Sequence, residues 1–350
     1  MTIDVDIRAQ RLSEIVPPLE DQGPFLWDLV AGYEKGQVFL SALDVGLFNM
    51  AKEPKTSEQL SRDLQANHTV IGKLLDVLVS MGVMIKEDGC YATAPKMVPF
   101  LVEGEPYFAR YLNFAKESRN QWADLERVLR DGPSSLKQNH EHEYDRETID
   151  WIARGTMLGR LQTTIQLIRE FPEFQAARRM IDLGGGHGLF GIGFAQENPH
   201  LEVVIYDRPG VAEIAQEYIE RYGLADRVKA ICGDYTKDQI GSDYDIAFEA
   251  CSFGGDSTQA RSFYRRVAES LKAGGLFIAE TFTLDDNRKA PLRSLIWDLK
   301  ELISGDRHMH LRTNSEIFSM FEEAGLRGER VIDLSDKMDM PMRLVVARKA

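Results

Sequence analysis

Apolar residues follow two different spacings along this chain, and the change of spacing divides it. In the first part they recur every three or four positions, as at Leu26, Leu29 and Tyr33, which predicts helices. From Met180 onward, short apolar runs alternate with helical patterns. Strands are predicted at 201–206, 228–231, 245–250, 275–282 and 344–347, and helices at 189–197, 210–222, 257–272, 292–303 and 315–323. This alternation predicts a doubly wound α/β sheet, in which ligands bind at the carboxyl ends of the strands.

The segment before residue 100 has the order of elements found in a winged helix. Thr56-Ser57-Glu58-Gln59 has the spacing of a capping box and predicts the start of a first short helix. A second helix is predicted over 69–81, and Asp88-Gly89 predicts a tight hairpin after it. Lys73 is the only cation of that second helix and is balanced by Asp76, so we do not expect it to bind DNA.

A glycine-rich stretch, Met180–Gly188, follows a helix that is predicted from 146 to 171 and ends at Pro172. An apolar run that breaks into glycines and resumes as an apolar segment predicts a buried strand turning sharply into a helix. Glycine tolerates positive φ and lets a ligand approach the backbone closely. Since the N-terminus of the next helix attracts negative groups, the stretch predicts a nucleotide-like ligand.

Length, charge and cysteine content limit the classes of function. The 350 residues suffice for two domains, and the net charge of −13 argues against a nucleic-acid partner. No apolar run approaches the roughly 20 residues of a membrane-spanning helix, and the acidic start lacks the features of a signal peptide. Cys90, Cys232 and Cys251 are far apart, which indicates a cytoplasmic protein without a metal site.

Two kinds of cofactor are compatible with the glycine turn. Gly186, Gly188 and Gly191 satisfy the dinucleotide pattern GxGxxG, which leaves a nicotinamide cofactor open. Three acidic residues, however, follow or end successive strands, namely Asp182, Asp207 and Asp234. Carboxylates suit a ligand with a sulfonium or ammonium charge and ribose hydroxyls better than one with a pyrophosphate. The acids therefore favour S-adenosylmethionine (SAM).

Several motifs together resemble the SAM-dependent O-methyltransferases of the caffeic acid and hydroxyindole type. They are Asp-Leu-Gly-Gly-Gly-His-Gly at 182–188, Tyr-Asp-Arg-Pro at 206–209, Gly-Asp-Tyr at 233–235, the stretch 265–275, Glu280, Arg312-Thr313 and the segment 42–48. The resemblance implies a helical winged-helix dimerisation domain with an N-terminal arm over 1–100. It also implies linker and pocket helices over 101–172, a Rossmann-like SAM domain over 173–350, and a homodimer.

The resemblance also implies roles for individual residues. The cofactor site is expected to contain Asp182, Gly184, Gly186, Gly188, Asp207, Arg208, Gly233, Asp234, Tyr235 and Glu249. The pocket for the methyl acceptor is expected to contain Met157, Phe253, Trp297 and Asp298.

One motif of the family is missing. In the family a histidine after the fourth strand deprotonates the acceptor, whereas its position here falls on Phe253 or Gly254. Glu280 resembles the carboxylate that orients this histidine and so lacks its usual partner. The base could have moved, the acceptor could need no base, or the scaffold could serve another reaction or binding only. The candidates for a relocated catalytic residue are His308, His310, Glu249 and Glu280.

Taken together, the sequence predicts a SAM-dependent methyltransferase for a small, aromatic or planar acceptor. O-methylation is favoured, and C- or N-methylation remains open. The alternatives are a SAM-binding protein of the same fold without methyl transfer, and an NAD-dependent oxidoreductase.

Overall fold

The computed structural model describes residues 22–105, 107–108, 119, 122–132, 144–303, 311–338 and 340–350. The chain divides into two units, Met1–Lys116 and Glu117–Ala350. The predicted N-terminal arm up to residue 21, and both His308 and His310, lie outside the described residues.

The first unit contains the helices and the hairpin that the sequence predicts. Its elements are α1 (Gly23–Asp44), α2 (Leu47–Met50), β1 (Lys55–Thr56), α3 (Ser57–Asp63), α4 (His68–Ser80), β2 (Met84–Glu87), β3 (Cys90–Thr93) and α5 (Val98–Leu101). The strands form an antiparallel sheet in the order β1-β3-β2. The Thr56 side chain accepts a hydrogen bond from Gln59 N, and the Gln59 side chain accepts one from Thr56 N, so the capping box is confirmed. Leu60, Leu75 and Leu78 form the fully buried centre of this unit.

The second unit carries the alternating strands and helices. Its elements are α6 (Leu125–Asp131), α7 (Arg146–Thr156), α8 (Arg160–Ile168), α9 (Pro172–Ala176), β4 (Arg179–Leu183), α10 (Leu189–Glu197), β5 (Glu202–Asp207), α11 (Val211–Arg221), β6 (Val228–Cys232), β7 (Tyr244–Ala250), α12 (Ser257–Ser270), β8 (Leu271–Thr281), α13 (Leu292–Ile303), α14 (Asn314–Glu323), β9 (Leu326–Asp333) and β10 (Arg343–Lys349).

Seven strands form one sheet in the order β6-β5-β4-β7-β8-β10-β9. The first five are parallel, and β10 runs antiparallel to both β8 and β9. Met180 packs in the apolar cluster on one face of β4, while Ile181 and Leu183 pack in the cluster on the other. The chain proceeds from β4 to one side and later from β7 to the other, so a ligand crevice is expected at their carboxyl ends.

The strand register brings two acidic residues to that crevice. Leu183 at the end of β4 pairs with Glu249 of β7, and Ala250 pairs with Glu280 of β8. Glu249 is therefore on the strand next to the glycine turn, and Glu280 is one strand further away.

Two of the differences from the prediction lie in the helix before the glycine turn and at the edge of the large sheet. The helix predicted over 146–171 is broken into α7 and α8 by Gly159, whose φ of +121° is outside the range of a helix. Strand β9 was not predicted because charged residues interrupt its apolar positions, as expected for a strand at the edge of a sheet.

Candidate active site

The glycine turn between β4 and α10 requires glycine for reasons of conformation and of space. Gly184 and Gly188 have φ values of +63° and +75°. A Cβ on Gly184 would overlap the Cβ of Ser252, and one on Gly188 would lie 2.9 Å from Ile205 Cδ1. The turn is fixed by a hydrogen bond of 2.8 Å from Gly184 N to Tyr206 O. At Gly186, by contrast, a Cβ would have no atom within 4 Å, so the space beside the turn is open there.

The side chain of Asp182 fixes the position of the helix start that follows this turn. Its side chain is 1% exposed, and its Oδ2 accepts a hydrogen bond of 3.1 Å from Gly191 N in the first turn of α10. Burial raises the pKa of Asp182 to about 7, although the hydrogen bond from Gly191 opposes the shift. The predicted cofactor residue is thus at the site, but its carboxylate binds the protein backbone and positions the turn.

Asp207 ends β5 next to the open side of the turn. Its Oδ2 accepts from Gly186 N at 2.8 Å, and its Oδ1 accepts from Arg208 N at 2.7 Å. Burial raises the pKa of this carboxyl group, and these two hydrogen bonds oppose the rise. The Arg208 guanidinium lies 5.0 Å from the ring centroid of Tyr144. Asp207 is therefore a carboxylate at the place where the sequence predicts contact with a ribose.

The segment after β6 supplies the next predicted group. A Cβ on Gly233 would overlap the hydroxyl of Tyr206. Asp234 accepts a hydrogen bond of 3.0 Å from Thr236 N and pairs with Lys237 Nζ at 2.8 Å. Partial burial alone would raise the pKa of Asp234, but its bonds to Lys237 and Thr236 hold it below the ordinary value. Asp234 is consequently a charged acceptor at the edge of the crevice.

Tyr235 links this segment to the one that follows β7. Its hydroxyl donates to Ser252 O at 2.5 Å, and its ring meets that of Phe263 edge to face at 5.8 Å. The side chain is 8% exposed, and burial raises the pKa of its hydroxyl further above the ordinary value. Tyr235 is thereby held as a neutral, rigid aromatic wall.

Glu249 is the second-last residue of β7, and its carboxylate is buried. It is 5% exposed, and its Oε2 accepts from Ser252 N at 3.0 Å. The hydroxyl of Ser252 lies 3.1 Å from the same oxygen and 2.7 Å from Leu183 O. Burial raises the pKa of Glu249 to about 7. A carboxylate with this pKa can hold or release a proton near neutral pH.

The segment in which the family has its histidine is used here for packing and capping. Phe253 stacks on Phe263, with ring centroids 4.5 Å apart and planes 5° apart. Asp256 caps α12 by accepting from Thr258 N and Gln259 N. Cys251 has a φ of +54° and lines the pocket described below. Although it is exposed to this pocket, protein atoms surround its thiol, and burial raises the pKa to about 12, so it is a neutral thiol.

Glu280, the carboxylate expected to lack its usual partner, has two others in the structure. Its Oε1 accepts from Arg160 Nε at 2.6 Å, and its Oε2 accepts from Thr164 Oγ1 at 3.0 Å. Glu280 and Thr164 are both fully buried. Arg160 is the first residue of α8, directly after the break at Gly159. Sequence reasoning missed Arg160 and Thr164, and the separation of more than 100 residues from Glu280 left no local signal.

A pocket in the second unit opens beside Glu249 and has about 770 Å³ of space including its mouth. Three residues that the sequence analysis assigns to an acceptor pocket line it, namely Phe253, Trp297 and Asp298, together with Glu249, Cys251, Tyr264, Phe282, Glu301 and Arg312. Trp297 meets Phe282 edge to face at 4.4 Å and donates from Nε1 to Glu301 Oε1 at 2.6 Å. Asp298 Oδ1 accepts from Leu311 N at 2.8 Å.

Met157, the fourth predicted pocket residue, is not among the residues that line this pocket. It lies at the end of α7 and is 44% exposed. Met157 as a pocket residue therefore stays a prediction.

The described part of the chain shows neither a metal site nor a membrane-spanning helix. It contains no group of three or more His, Cys, Asp or Glu side chains that could hold a metal ion. None of its helices is both long enough and apolar enough to cross a membrane.

The charges along the crevice are compatible with a cationic donor. Asp207 and Asp234 offer carboxylates on the side of β5 and β6, and Glu249 lies on the side of β7. In a dinucleotide fold the backbone N–H groups of the turn bind the pyrophosphate. Here Gly186 N already donates to Asp207, and a pyrophosphate would be repelled by that carboxylate. The residues present therefore fit the sulfonium and ribose of SAM.

Comparison with known proteins agrees with this geometry. A family model described as an O-methyltransferase domain matches residues 139–327, and one described as an O-methyltransferase dimerisation domain matches residues 27–98. The chain is 26% identical to the N,N-dimethyltransferase OxyT of Streptomyces rimosus, over 89% of this chain and 94% of that protein. It is also 26% identical to a 3-hydroxy-5-methyl-1-naphthoate 3-O-methyltransferase of Streptomyces sahachiroi, over 82% and 85% of the two chains.

Solved structures show the same fold. Human N-acetylserotonin methyltransferase in complex with SAM superposes with a TM-score of 0.73 at 20% identity, covering 96% of this chain and 100% of that one. An O-methyltransferase family protein from Burkholderia thailandensis has a TM-score of 0.76 at 20% identity, covering 95% and 99%. Because the O-methyltransferase domain matches more than half of the 350 residues, the chain belongs to this family of SAM-dependent methyltransferases.

Proposed function

We propose that the protein transfers a methyl group from SAM to a small, aromatic or planar acceptor, with Glu249 as the group that accepts the proton. The observation that carries this proposal is the Glu249 carboxylate in the pocket wall, with a pKa raised to about 7 by burial. A general base is most effective when its pKa is close to the working pH. The carboxylate thus takes over the task of the absent histidine.

The other residues hold and align the reactants. The glycine turn, Asp207, Asp234 and Tyr235 would hold the donor, and bound SAM supplies an electrophilic methyl group on a sulfonium. Phe253, Phe282 and Trp297 provide flat apolar walls that orient a planar acceptor and exclude water. When a protein holds two reactants in line, much of the entropy loss of a bimolecular reaction occurs on binding, before the chemical step. Effective molarities then reach up to about 10⁵–10⁸ M.

The type of acceptor atom is proposed from the relatives and from the pocket. The printed names of similar proteins include a naphthoate 3-O-methyltransferase and a phenazine O-methyltransferase, as well as an N,N-dimethyltransferase. A hydroxyl on an aromatic ring fits a carboxylate base in an aromatic-walled pocket, so O-methylation is favoured. A ring amine is the second candidate.

The donor is tested by calorimetry and the transfer by labelled methyl groups. SAM and S-adenosylhomocysteine are expected to bind, and NADH is not. Transfer of label from SAM to at least one of a set of phenols, aromatic amines, thiols and acidic carbons is expected. Binding of SAM without transfer to any of them would instead support the second function, a SAM-binding protein of the same fold. Binding of NADH alone would indicate an oxidoreductase.

The role of Glu249 is tested by Glu249→Gln, which is nearly isosteric and cannot accept a proton. We expect kcat to fall about 10²–10⁴-fold, a larger loss than any change in affinity for S-adenosylhomocysteine. In the wild type the rate is expected to rise with pH, to be half-maximal near pH 7 and to level off above it, because the base must be ionised. Ser252→Ala removes one hydrogen bond to the carboxylate and is expected to move this rise to higher pH.

The histidines outside the described residues provide the counter-test. If His308→Ala or His310→Ala abolishes the pH-dependent rise while Glu249→Gln retains it, a relocated histidine is the base and Glu249 is not.

We further propose that the active form is a cytoplasmic homodimer built on the first unit. Helix α1 carries a row of exposed large apolar side chains, namely Phe25, Leu26, Trp27, Leu29, Val30 and Tyr33. The match to a dimerisation domain spans residues 27–98, which include most of this helix. Sedimentation velocity is expected to give a dimer, and Trp27→Asp with Tyr33→Asp is expected to give monomers.

A further inference from the structure

The guanidinium group of Arg160 has one hydrogen-bonding atom that nothing in the described part of the chain satisfies. Its Nε donates to Glu280, whereas its Nη2 is buried and has no partner there. A guanidinium carries five N–H donors, and a buried donor without an acceptor is costly. A group that remains unpaired inside a protein although its neighbours are well bonded calls for a functional explanation.

Arg160 lies where the two halves of the crevice meet. Its Cζ is 5.4 Å from the ring centroid of Phe190, which is in the first turn of α10, directly after the glycine turn. Its partner Glu280 accepts, through the backbone oxygen, a hydrogen bond of 2.9 Å from Cys251 N. Cys251 and Thr281, the residues next to Glu280 in space and in sequence, both line the acceptor pocket.

From these contacts we propose that Arg160 Nη2 binds an anionic oxygen of a ligand at this junction. The oxygen belongs either to the carboxylate of the donor's amino-acid part or to the ionised acceptor. Arginine suits such a contact because its charge is permanent and its planar fork binds two acceptors side by side. In this site Nε of the guanidinium donates to Glu280, and Nη2 is left to donate to the ligand. If the oxygen comes from the ionised acceptor, the proposal rests on the proposed methyl transfer. If it comes from the donor's carboxylate, the proposal requires only that SAM binds.

The other titratable groups around Arg160 leave it as the cation of the junction. Burial, and to a lesser extent the charge of Arg160, lowers the pKa of His187 to about 3, so this histidine is neutral. Its Nδ1 accepts from Leu189 N at 3.1 Å, and its Nε2 lies 3.3 Å from Thr156 Oγ1. Glu280 holds the guanidinium in place without occupying Nη2. An incoming anionic oxygen therefore meets one oriented N–H donor.

The test compares a double variant with a matched background. Removing Arg160 alone would leave the buried Glu280 charge unpaired and could unfold the protein. Glu280→Gln is therefore the background, and Arg160→Met with Glu280→Gln removes the cation without leaving a buried charge. Arg154→Gln, an exposed arginine on α7, is the surface control. Thermal unfolding is recorded for each variant to verify that it is folded.

The donor arm uses calorimetry with two ligands that differ only in the amino-acid part. S-adenosylhomocysteine has the carboxylate, and 5′-deoxy-5′-methylthioadenosine lacks it. If Arg160 binds the donor, the double variant is expected to bind S-adenosylhomocysteine about 10- to 100-fold more weakly than the background, as for a charge-assisted hydrogen bond. Its affinity for the methylthioadenosine is expected to be unchanged.

The acceptor arm uses 4-nitrophenol, whose ionised form absorbs visible light, in the presence of S-adenosylhomocysteine. If Arg160 binds the acceptor oxygen, the background protein raises the ionised fraction of the bound phenol. The double variant is then expected to reduce the acid dissociation constant of the bound phenol by about tenfold or more.

Either positive arm supports the proposal and identifies the source of the oxygen. If the folded double variant equals its background in both arms, the proposal is overturned, and labelled methyl transfer by the wild type shows that the proposed function stands without it. Conversely, a wild type that transfers no methyl group refutes the proposed function, while the donor arm still reports on Arg160.

Discussion

The two sides of the crevice are built in different ways. On the donor side, backbone conformation and buried carboxylates shape the turn, as Gly184, Asp182 and Asp207 illustrate. On the acceptor side, side chains from distant segments meet, as in the contact of Glu280 with Arg160 and Thr164. The donor side therefore depends mainly on backbone geometry, whereas the acceptor side depends on contacts between side chains that are distant in the chain.

The difference teaches that the glycine turn depends on the conformation of the backbone. The acceptor side depends instead on hydrogen bonds between particular side chains. A substitution on the donor side should thus act through conformation or burial. One on the acceptor side should act through the loss of a particular hydrogen bond. Each of the following predictions tests this contrast.

The largest effect is expected at the glycine turn. Gly184→Ala forces a left-handed conformation on a residue with a Cβ and overlaps Ser252, at a combined cost of up to about 5 kcal/mol in unfolding free energy. Gly186→Ala is the matched control, since its φ is +57° but its Cβ position is open, and it should cost only about 1–2 kcal/mol. Urea unfolding and SAM affinity measure both. Equal losses would show that space at Gly184 is unimportant.

The second effect is a dependence of stability on pH. The pKa of Asp182 rises from 3.8 to about 7 on folding, so the protonated form is favoured in the folded state. Its contribution to stability is complete below pH 4 and is lost as the pH rises through 7. Between pH 4 and 8, Asp182→Asn should therefore lose less stability than the wild type, by up to about 4 kcal/mol.

Asp234 provides a control of opposite sign for this measurement. Its pKa is lowered on folding, so its contribution is present at neutral pH and is lost as the pH falls. Asp234→Asn should accordingly make stability fall less on acidification. If Asp182→Asn follows the wild-type profile between pH 4 and 8, the buried carboxyl group does not titrate in this range.

On the acceptor side, Thr164→Val keeps the shape of a fully buried side chain but removes its hydrogen bond to Glu280. The expected loss in unfolding free energy is about 1–2 kcal/mol, because one oxygen of a buried carboxylate is left without this partner. Thr163→Val makes the same change one position away on α8 and should have a smaller effect. A larger loss for Thr163→Val would contradict the partnership.

The smallest effect is expected at the cap of α12. Asp256→Ala removes the acceptor for Thr258 N and Gln259 N and should reduce the unfolding free energy by about 1 kcal/mol. Asp256→Asn retains an acceptor and should restore most of the loss. A similar loss in both variants would indicate that the charge of Asp256, and not its hydrogen bonds, stabilises the segment.

Much of the fold was predictable because its signals are local. The apolar runs located five strands of the large sheet after β4, and the glycine turn marked the change from strand to helix. The break at Gly159 was missed because isolated glycines inside a helical pattern, such as Gly155 and Gly159, are compatible with a continuous helix. Strand β9 was missed because its stability depends on pairing with β10 at the sheet edge.

The sequence by itself determined the donor half of this protein. Glycines at positions of positive φ and acids at strand ends are local requirements, so their spacing identifies the cofactor class before any contact is known. Only the tertiary structure decided the acceptor half. Arg160 of α8 and Glu280 of β8 are far apart in the chain and meet only in the folded structure. Long-range side-chain partnerships depend on the register of the whole sheet, which no local pattern contains.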